Sequence, residues 1–112
     1  MIWGRVVGTV WATRRDARLP RAKLLVVRPT AIYEPAFAAR HLVVSDDLDA
    51  GVGDEVVVCL GAPARASAGG NDVPIDAAVM AVIDRVELDT RALGGAGAAA
   101  GIRRRLTVEA RR

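Results

Sequence analysis

Asp46-Asp47-Leu48-Asp49-Ala50-Gly51-Val52-Gly53-Asp54, followed by Glu55-Val56-Val57-Val58-Cys59-Leu60 and then Gly61-Ala62-Pro63-Ala64-Arg65, sets a turn, a strand and a helix start in one run. Most of the first nine residues are polar or small and two are glycines, the composition of a turn. After Glu55 the next five are apolar, three of them β-branched valines, which suits a pleated, buried strand. Gly61 and Pro63 stop that strand. Residues 62–68 (Ala-Pro-Ala-Arg-Ala-Ser-Ala) then predict a short helix with Pro63 in its first turn, where the missing N–H costs nothing.

The same pattern of turn and strand extends in both directions. Upstream, Ile2 to Thr13 predicts a first strand, with Gly4 and Gly8 marking a bulge or bend. Residues 14–21 form a charged loop. Lys23 to Arg28 predicts a second strand, apolar on both faces and stopped by Pro29. Thr30 to Ala39, with Pro35, Tyr33 and Phe37, reads as a hairpin excursion, and Arg40 to Ser45 as a third strand centred on His41-Leu42-Val43-Val44. Downstream, Gly69 to Asp72 is a loop. Ala77 to Leu88 predicts a fifth strand, its β-branched content outweighing a helical reading by period. Five strands and one short helix, separated by Gly/Pro turns, point to a mainly β protein: a small five-stranded Greek-key barrel of the OB-like kind.

That reading assigns residues 1–91 to a barrel domain, 92–101 to a Gly/Ala-rich linker and 102–112 to a basic tail. In the tail, Leu106, Val108 and Ala110 alternate with polar residues, a pattern that fits an edge strand as well as a flexible appendage.

Composition narrows the function. Hydrophobic residues make up 52% of the 112, aromatics only 4%, so the core must be built from Val, Leu, Ile and Ala. The formal charge of +3 belongs to the tail: residues 102–112 carry five arginines against Glu109, a net of +4, and the rest of the chain sums to −1. A body built to grip nucleic acid would carry a basic face of its own. The longest apolar runs fall well short of the ~20 residues that span a bilayer. Cys59 is the only cysteine, which precludes an intramolecular disulfide. Together with an N-terminus unlike a signal peptide, this predicts a cytoplasmic protein.

Residues that carry chemistry are sparse. His41, the only histidine, is placed inside the third strand among apolar neighbours, and Cys59 lies in Val-Val-Val-Cys-Leu, the setting of a small core hydrophobe. Neither supports a catalytic or metal site. Asp47-x-Asp49-x-Gly51 matches the first half of a calcium loop, but no bidentate Glu follows at its twelfth position. Gly51-Val52-Gly53 leads into a strand instead of the helix that a phosphate loop requires. The expectation is a non-enzyme with no catalytic residues, cofactor or metal.

Several segments, taken in order, resemble one family. They are Gly8-Thr9-Val10, Thr13, Leu19 and Lys23-Leu24-Leu25-Val26-Val27. Asp46 and Ala50-Gly51-Val52-Gly53-Asp54 follow, leading into Val56-Val57-Val58. Gly61 to Arg65, Pro74-Ile75-Asp76-Ala77 and Val82-Ile83-Asp84-Arg85-Val86 complete the set. Their order and spacing, across residues 1 to about 88, is similar to that of the EutN/CcmL family, the pentameric (BMC-P) vertex proteins of bacterial microcompartments.

The resemblance implies an OB-like barrel that closes into a cyclic homopentamer and caps the vertices of a polyhedral shell. Its other implied partners are hexameric and pseudohexameric shell proteins, with no nucleic acid and no membrane. In such a ring Asp49, Gly51, Gly53, Gly61 and Ala62 are the candidate axial residues, because glycine turns allow close backbone approach. Arg65, Asp46 and Asp76 are candidates for the subunit interface, Arg65 as partner to an acidic residue of a neighbour. Two departures bear on the axial turns: the family commonly has Gly-Ser before the Ala-Arg, where this chain has Gly61-Ala62-Pro63-Ala64-Arg65, and Gly where Asp49 stands. The competing reading is an OB-type module that binds single-stranded nucleic acid, for which Trp3, Trp11, Tyr33 and Phe37 are the only rings available.

Overall fold

The computed structural model describes residues 1–30, 32, 36, 39–93 and 105–109, with side chains placed for all of these except 90, 93 and 105–109. The chain divides into two compact units, residues 1–82 and 83–112. Most of the excursion expected over Thr30–Ala39, the Gly/Ala linker and Ala110 lie outside the described residues.

In the first unit, five strands close a barrel: β1 (Ile2–Val10), β2 (Lys23–Pro29), β3 (Leu42–Asp46), β4 (Glu55–Leu60) and β5 (Ala77–Ile83). Their order around it is β1-β2-β3-β5-β4. Two pairings give this order its OB character. Strand β4 returns antiparallel to the start of β1, pairing Ile2 with Val58 and Gly4 with Val56, while β3 and β5 run parallel with Ser45 opposite Ala78. Closure leaves no bare sheet edge in the barrel wall.

Alternation decides which side chains enter. Val6, Leu25, Val27, Val44, Val56, Val58, Ala77 and Val79 point inward and pack with Ala50 into one aliphatic core. On β2, Leu25 and Val27 are buried while Leu24 and Val26, on the other face, are only partly covered. Gly4 is indispensable to the closure, because a Cβ there would lie 2.6 Å from Val27 Cγ1 and 2.7 Å from the Arg28 carbonyl oxygen.

Helix α1 (Ala62–Ala68) follows β4 directly, as the Gly61/Pro63 punctuation predicts. It covers a second, smaller cluster of Cys59, Ala64, Ile75 and Ala78. Gly61 takes φ 67°, a left-handed turn natural to glycine, and its N–H donates to the Asp76 carbonyl at 2.9 Å.

Three expectations are corrected. The first strand ends at Val10, not Thr13. The third begins at Leu42, so His41 precedes it and is exposed instead of lying in an apolar setting. The run expected as one strand from Ala77 to Leu88 is two, because exposed Asp84 interrupts it: β5, and then β6 (Arg85–Asp89) in the second unit.

The second unit continues from β6 into a single helical turn, α2 (Thr90–Leu93), and contains β7 (Arg105–Glu109). Strands β6 and β7 form an antiparallel pair. Its register sets Val86 opposite Val108 and Leu88 opposite Leu106, with Arg85 opposite Glu109 and Asp89 opposite Arg105.

Candidate functional site

The turn between β3 and β4 is organised by Asp46. Its carboxylate is fully buried and accepts hydrogen bonds from the backbone N–H groups of Leu48 (3.1 Å) and Ala50 (2.9 Å). Lys23, opposite Asp46 in the β2–β3 ladder, brings its ammonium to 3.7 Å from the same carboxylate, 3.1 Å from Asp49 Oδ1 and 2.6 Å from the Ala50 carbonyl. Further along, the Gly51 N–H donates to Asp54 Oδ2 at 2.9 Å, and the Asp54 N–H donates back to the Gly51 carbonyl at 3.0 Å. Gly53 and Asp54 then tie the turn to β1 through Val6, at 2.8 and 2.9 Å. Two residues take left-handed backbone, Gly53 at φ 95° and Asp49 at φ 59°, the latter with its side chain fully exposed. The result is a tied loop with Asp49 at its exposed tip and Ala50 anchored in the core.

The candidate residues therefore separate by role. Asp46 is buried and its carboxylate is engaged by its own turn and by Lys23. Asp49, Gly51 and Gly53 stand on that one turn. Gly61, Ala62, Arg65 and Asp76 come together elsewhere, where the Gly61 N–H meets the Asp76 carbonyl and the Arg65 N–H meets the Gly61 carbonyl at 3.1 Å. Of these, Ala62 and Asp76 are exposed and Arg65 half-buried.

Sequence reasoning missed four features. Glu55, at the start of β4, is buried and binds the Trp3 indole N–H at 2.9 Å and the Arg5 guanidinium at 2.6 Å, which fastens β4 to β1. In the β1–β2 loop, Asp16 pairs with Arg18 at 3.0 Å, and these hydrogen bonds hold its carboxyl down to about 2. An open groove of about 550 Å³ lies between the β3–β4 turn, the end of α1 and β5; its walls include Ala22, Asp47, Leu48, Ala68, Val79 and Met80. Leu48 and Met80 keep 50% and 43% of their surface exposed there. Finally, the outer wall of β1–β2–β3 carries a row of valines. Gly8 pairs with Val26 and Val26 with Val43, and the register shift between Val6 and Gly8 adds Val7 beside them. Val7 and Val43 are 42% and 54% exposed. The signal for the valine row is the alternation along β2 and β3, whose outward positions include Val26 and Val43.

Val7, Val43, Leu48 and Met80 thus leave apolar surface exposed on the barrel. The family described as ethanolamine utilisation protein EutN/carboxysome matches residues 1–84, which take in the whole barrel. This chain belongs to the EutN/CcmL family.

Individual EutN/CcmL proteins share much of its length. The bacterial microcompartment shell vertex protein GrpN of Rhodospirillum rubrum is 42% identical over 88 residues, covering 78% of this chain and 97% of its own. The carboxysome shell vertex protein CcmL of Thermosynechococcus vestitus is 39% identical over 85 residues, 76% and 85% of the two chains. Among solved structures, GrpN, described as a pentameric microcompartment shell protein, superposes with a TM-score of 0.63 at 36% identity, over 75% of this chain and 94% of its own. The pentameric shell protein MSM0273 from the RMM microcompartment superposes with a TM-score of 0.63 at 32% identity, over 75% and 91%. The β6–β7 pair lies beyond the family match.

Proposed function

We propose that this chain is a structural vertex subunit of a bacterial microcompartment: five copies close into a ring that caps a corner of the polyhedral shell in the cytoplasm. The observation that carries this is the family match over the whole barrel, joined to relatives named as shell vertex proteins and described as pentamers. The surface chemistry supports it. A closed ring buries a heterologous interface on every copy, and the barrel leaves Val7, Val43, Leu48 and Met80 exposed.

In this reading the subunit performs no catalysis and its neighbours in the shell are hexameric or pseudohexameric shell proteins. The rigid turns bearing Asp49, Gly51, Gly53, Gly61 and Ala62 approach the five-fold axis, and Arg65 and Asp76 stand near the subunit boundary. The relatives above are shell proteins, which gives the single-stranded nucleic-acid alternative no support. The test is the mass of the purified protein by native mass spectrometry. The expected species is five times the 11.8 kDa chain. A stable monomer would overturn the reading. Shells formed from a hexameric shell protein should close only when this chain is added, as seen by electron microscopy.

A further inference from the structure

The loop between β1 and β2, residues 11–22, has a structure of its own. Its ends meet, since Val10 pairs with Leu24. Leu19 packs on the second core cluster, and its N–H donates to the Asp16 carbonyl at 2.9 Å. Asp16 Oδ1 accepts from the Arg18 N–H at 2.8 Å and from Arg18 Nε at 3.0 Å, while Oδ2 accepts from Arg18 Nη2 at 3.1 Å. A surface loop closed at its ends and packed by its own side chains is frequently a functional element. This one carries Arg14, Arg15, Arg18 and Arg21 against the single carboxylate of Asp16.

Arg18 and Asp16 compensate each other, but Arg15 is held differently. Its Nη2 donates to the Pro20 carbonyl at 2.7 Å and the Ala22 carbonyl at 3.4 Å, across the neck of the loop. Both acceptors are neutral, so the guanidinium is oriented without losing its charge. The Arg21 guanidinium is exposed and, among the described residues, is engaged by no acceptor; Asp47 shares the neighbouring groove with it but forms no ion pair. Arg15 and Arg21 line one open cavity of about 510 Å³, with Thr13, Asp16, Ala17 and Leu19 in its other walls. Two uncompensated positive charges on one cavity create a potential that favours an anion there. A guanidinium presents parallel N–H donors that match the oxygens of a carboxylate or phosphate, and fixing Arg15 in advance lowers the ordering cost of binding. We propose that this cavity is an oxyanion site, in which Arg15 and Arg21 together hold a carboxylate or phosphate group. The oxyanion arrives either free, as a small anion in solution, or on another protein, as a Glu or Asp side chain. The site stands apart from the vertex reading, since every group in it comes from one loop of one chain.

Calorimetric titration of the full-length protein with inorganic phosphate, and separately with a tetraglutamate peptide, tests it. At least one of the two should bind saturably at low ionic strength. Arg21→Gln should weaken that binding about tenfold, the loss of one charge-assisted contact, while far-ultraviolet circular dichroism shows the barrel intact. Arg14→Gln removes the same charge from the same loop but not from the cavity wall, and should leave the affinity unchanged. Tighter binding of the peptide assigns the site to a carboxylate carried by a protein, and tighter binding of phosphate to a free anion. The proposal is overturned if neither probe binds, or if Arg21→Gln binds as well as the unaltered protein. It is overturned equally if Arg14→Gln and Arg21→Gln weaken binding alike, because the attraction then belongs to the net charge of the loop and not to a site.

Discussion

Replacing Asp46 by alanine tests whether the β3–β4 turn is held from inside. The carboxylate has no exposed surface and accepts from two backbone N–H groups, of which the Ala50 bond is itself buried. Hydrogen bonds to a charged acceptor contribute about 1.5–3 kcal/mol each, and a buried donor left without a partner loses its full desolvation penalty. The Leu48 bond is only part-buried and belongs at the low end. Lys23 keeps the Ala50 carbonyl and Asp49 after the change, so its loss is small. Asp46→Ala should therefore destabilise the protein by about 3 kcal/mol. Asp46→Asn keeps one acceptor oxygen but turns its NH2 toward the other N–H, and should cost about half as much. The assay is urea unfolding at one fixed protein concentration, because the stability of an oligomer depends on concentration. A loss below about 1 kcal/mol for alanine would refute the idea that these two bonds organise the turn. So would an asparagine variant no more stable than the alanine one.

Three further outcomes follow from the same geometry. Gly4→Ala forces a Cβ against the Arg28 carbonyl oxygen at 2.7 Å, and since that atom is backbone the ladder must shift. Overpacking of this kind costs about 1–3 kcal/mol, read as a lower thermal midpoint, whereas Gly8→Ala meets only Val26 at 3.6 Å and should change little. At Asp49, whose φ is 59°, glycine relieves left-handed strain while giving up an exposed ion pair with Lys23, so Asp49→Gly should be neutral within about 0.5 kcal/mol. Asp49→Ala keeps the strain and loses the pair, and urea unfolding should rank it below both. Asp16 has its pKa lowered from 3.8 to about 2, chiefly by the side-chain hydrogen bond from Arg18. Its contribution to loop order is present above the free value and is lost as pH falls through about 2. Carboxyl chemical shifts should place the Asp16 midpoint near the lower value and return it to the free one in Arg18→Ala.

How legible each element was follows from its punctuation. Strand β4 and helix α1 lie where Gly61 and Pro63 place them, because a residue with left-handed backbone and one without an N–H leave few alternatives. The break at Asp84 carries no such mark. A single exposed aspartate between two apolar strips reads as an outward position of one long strand, and only the two pairings, β5 with β3 and β6 with β7, distinguish the two. His41 was placed among apolar neighbours in sequence, yet those neighbours belong to β3 and His41 does not. Asp46 was readable in a different way. A strand-end aspartate followed by a turn is the setting in which a carboxylate bonds backbone N–H groups of the next few residues, and Asp46 does so at Leu48 and Ala50.

The apolar outer wall of β1–β2–β3 shows where one sequence stops being enough. Hydrophobic residues make up 52% of the chain and rings 4% of it, and the barrel interior is filled by small aliphatic side chains. A barrel of this size has room for only part of that supply, so apolar side chains on its outside are a consequence of composition. Their location is not. On a strand, a shift of one residue exchanges the inner and outer sets completely, and β1 contains such a shift between Val6 and Gly8. Without it, Val7 would stand opposite Val26; with it, Gly8 takes that place and Val7 becomes the extra residue beside it. The residue that faces Val26 across the outer wall therefore follows from the bulge, which the sequence marks only by the glycine.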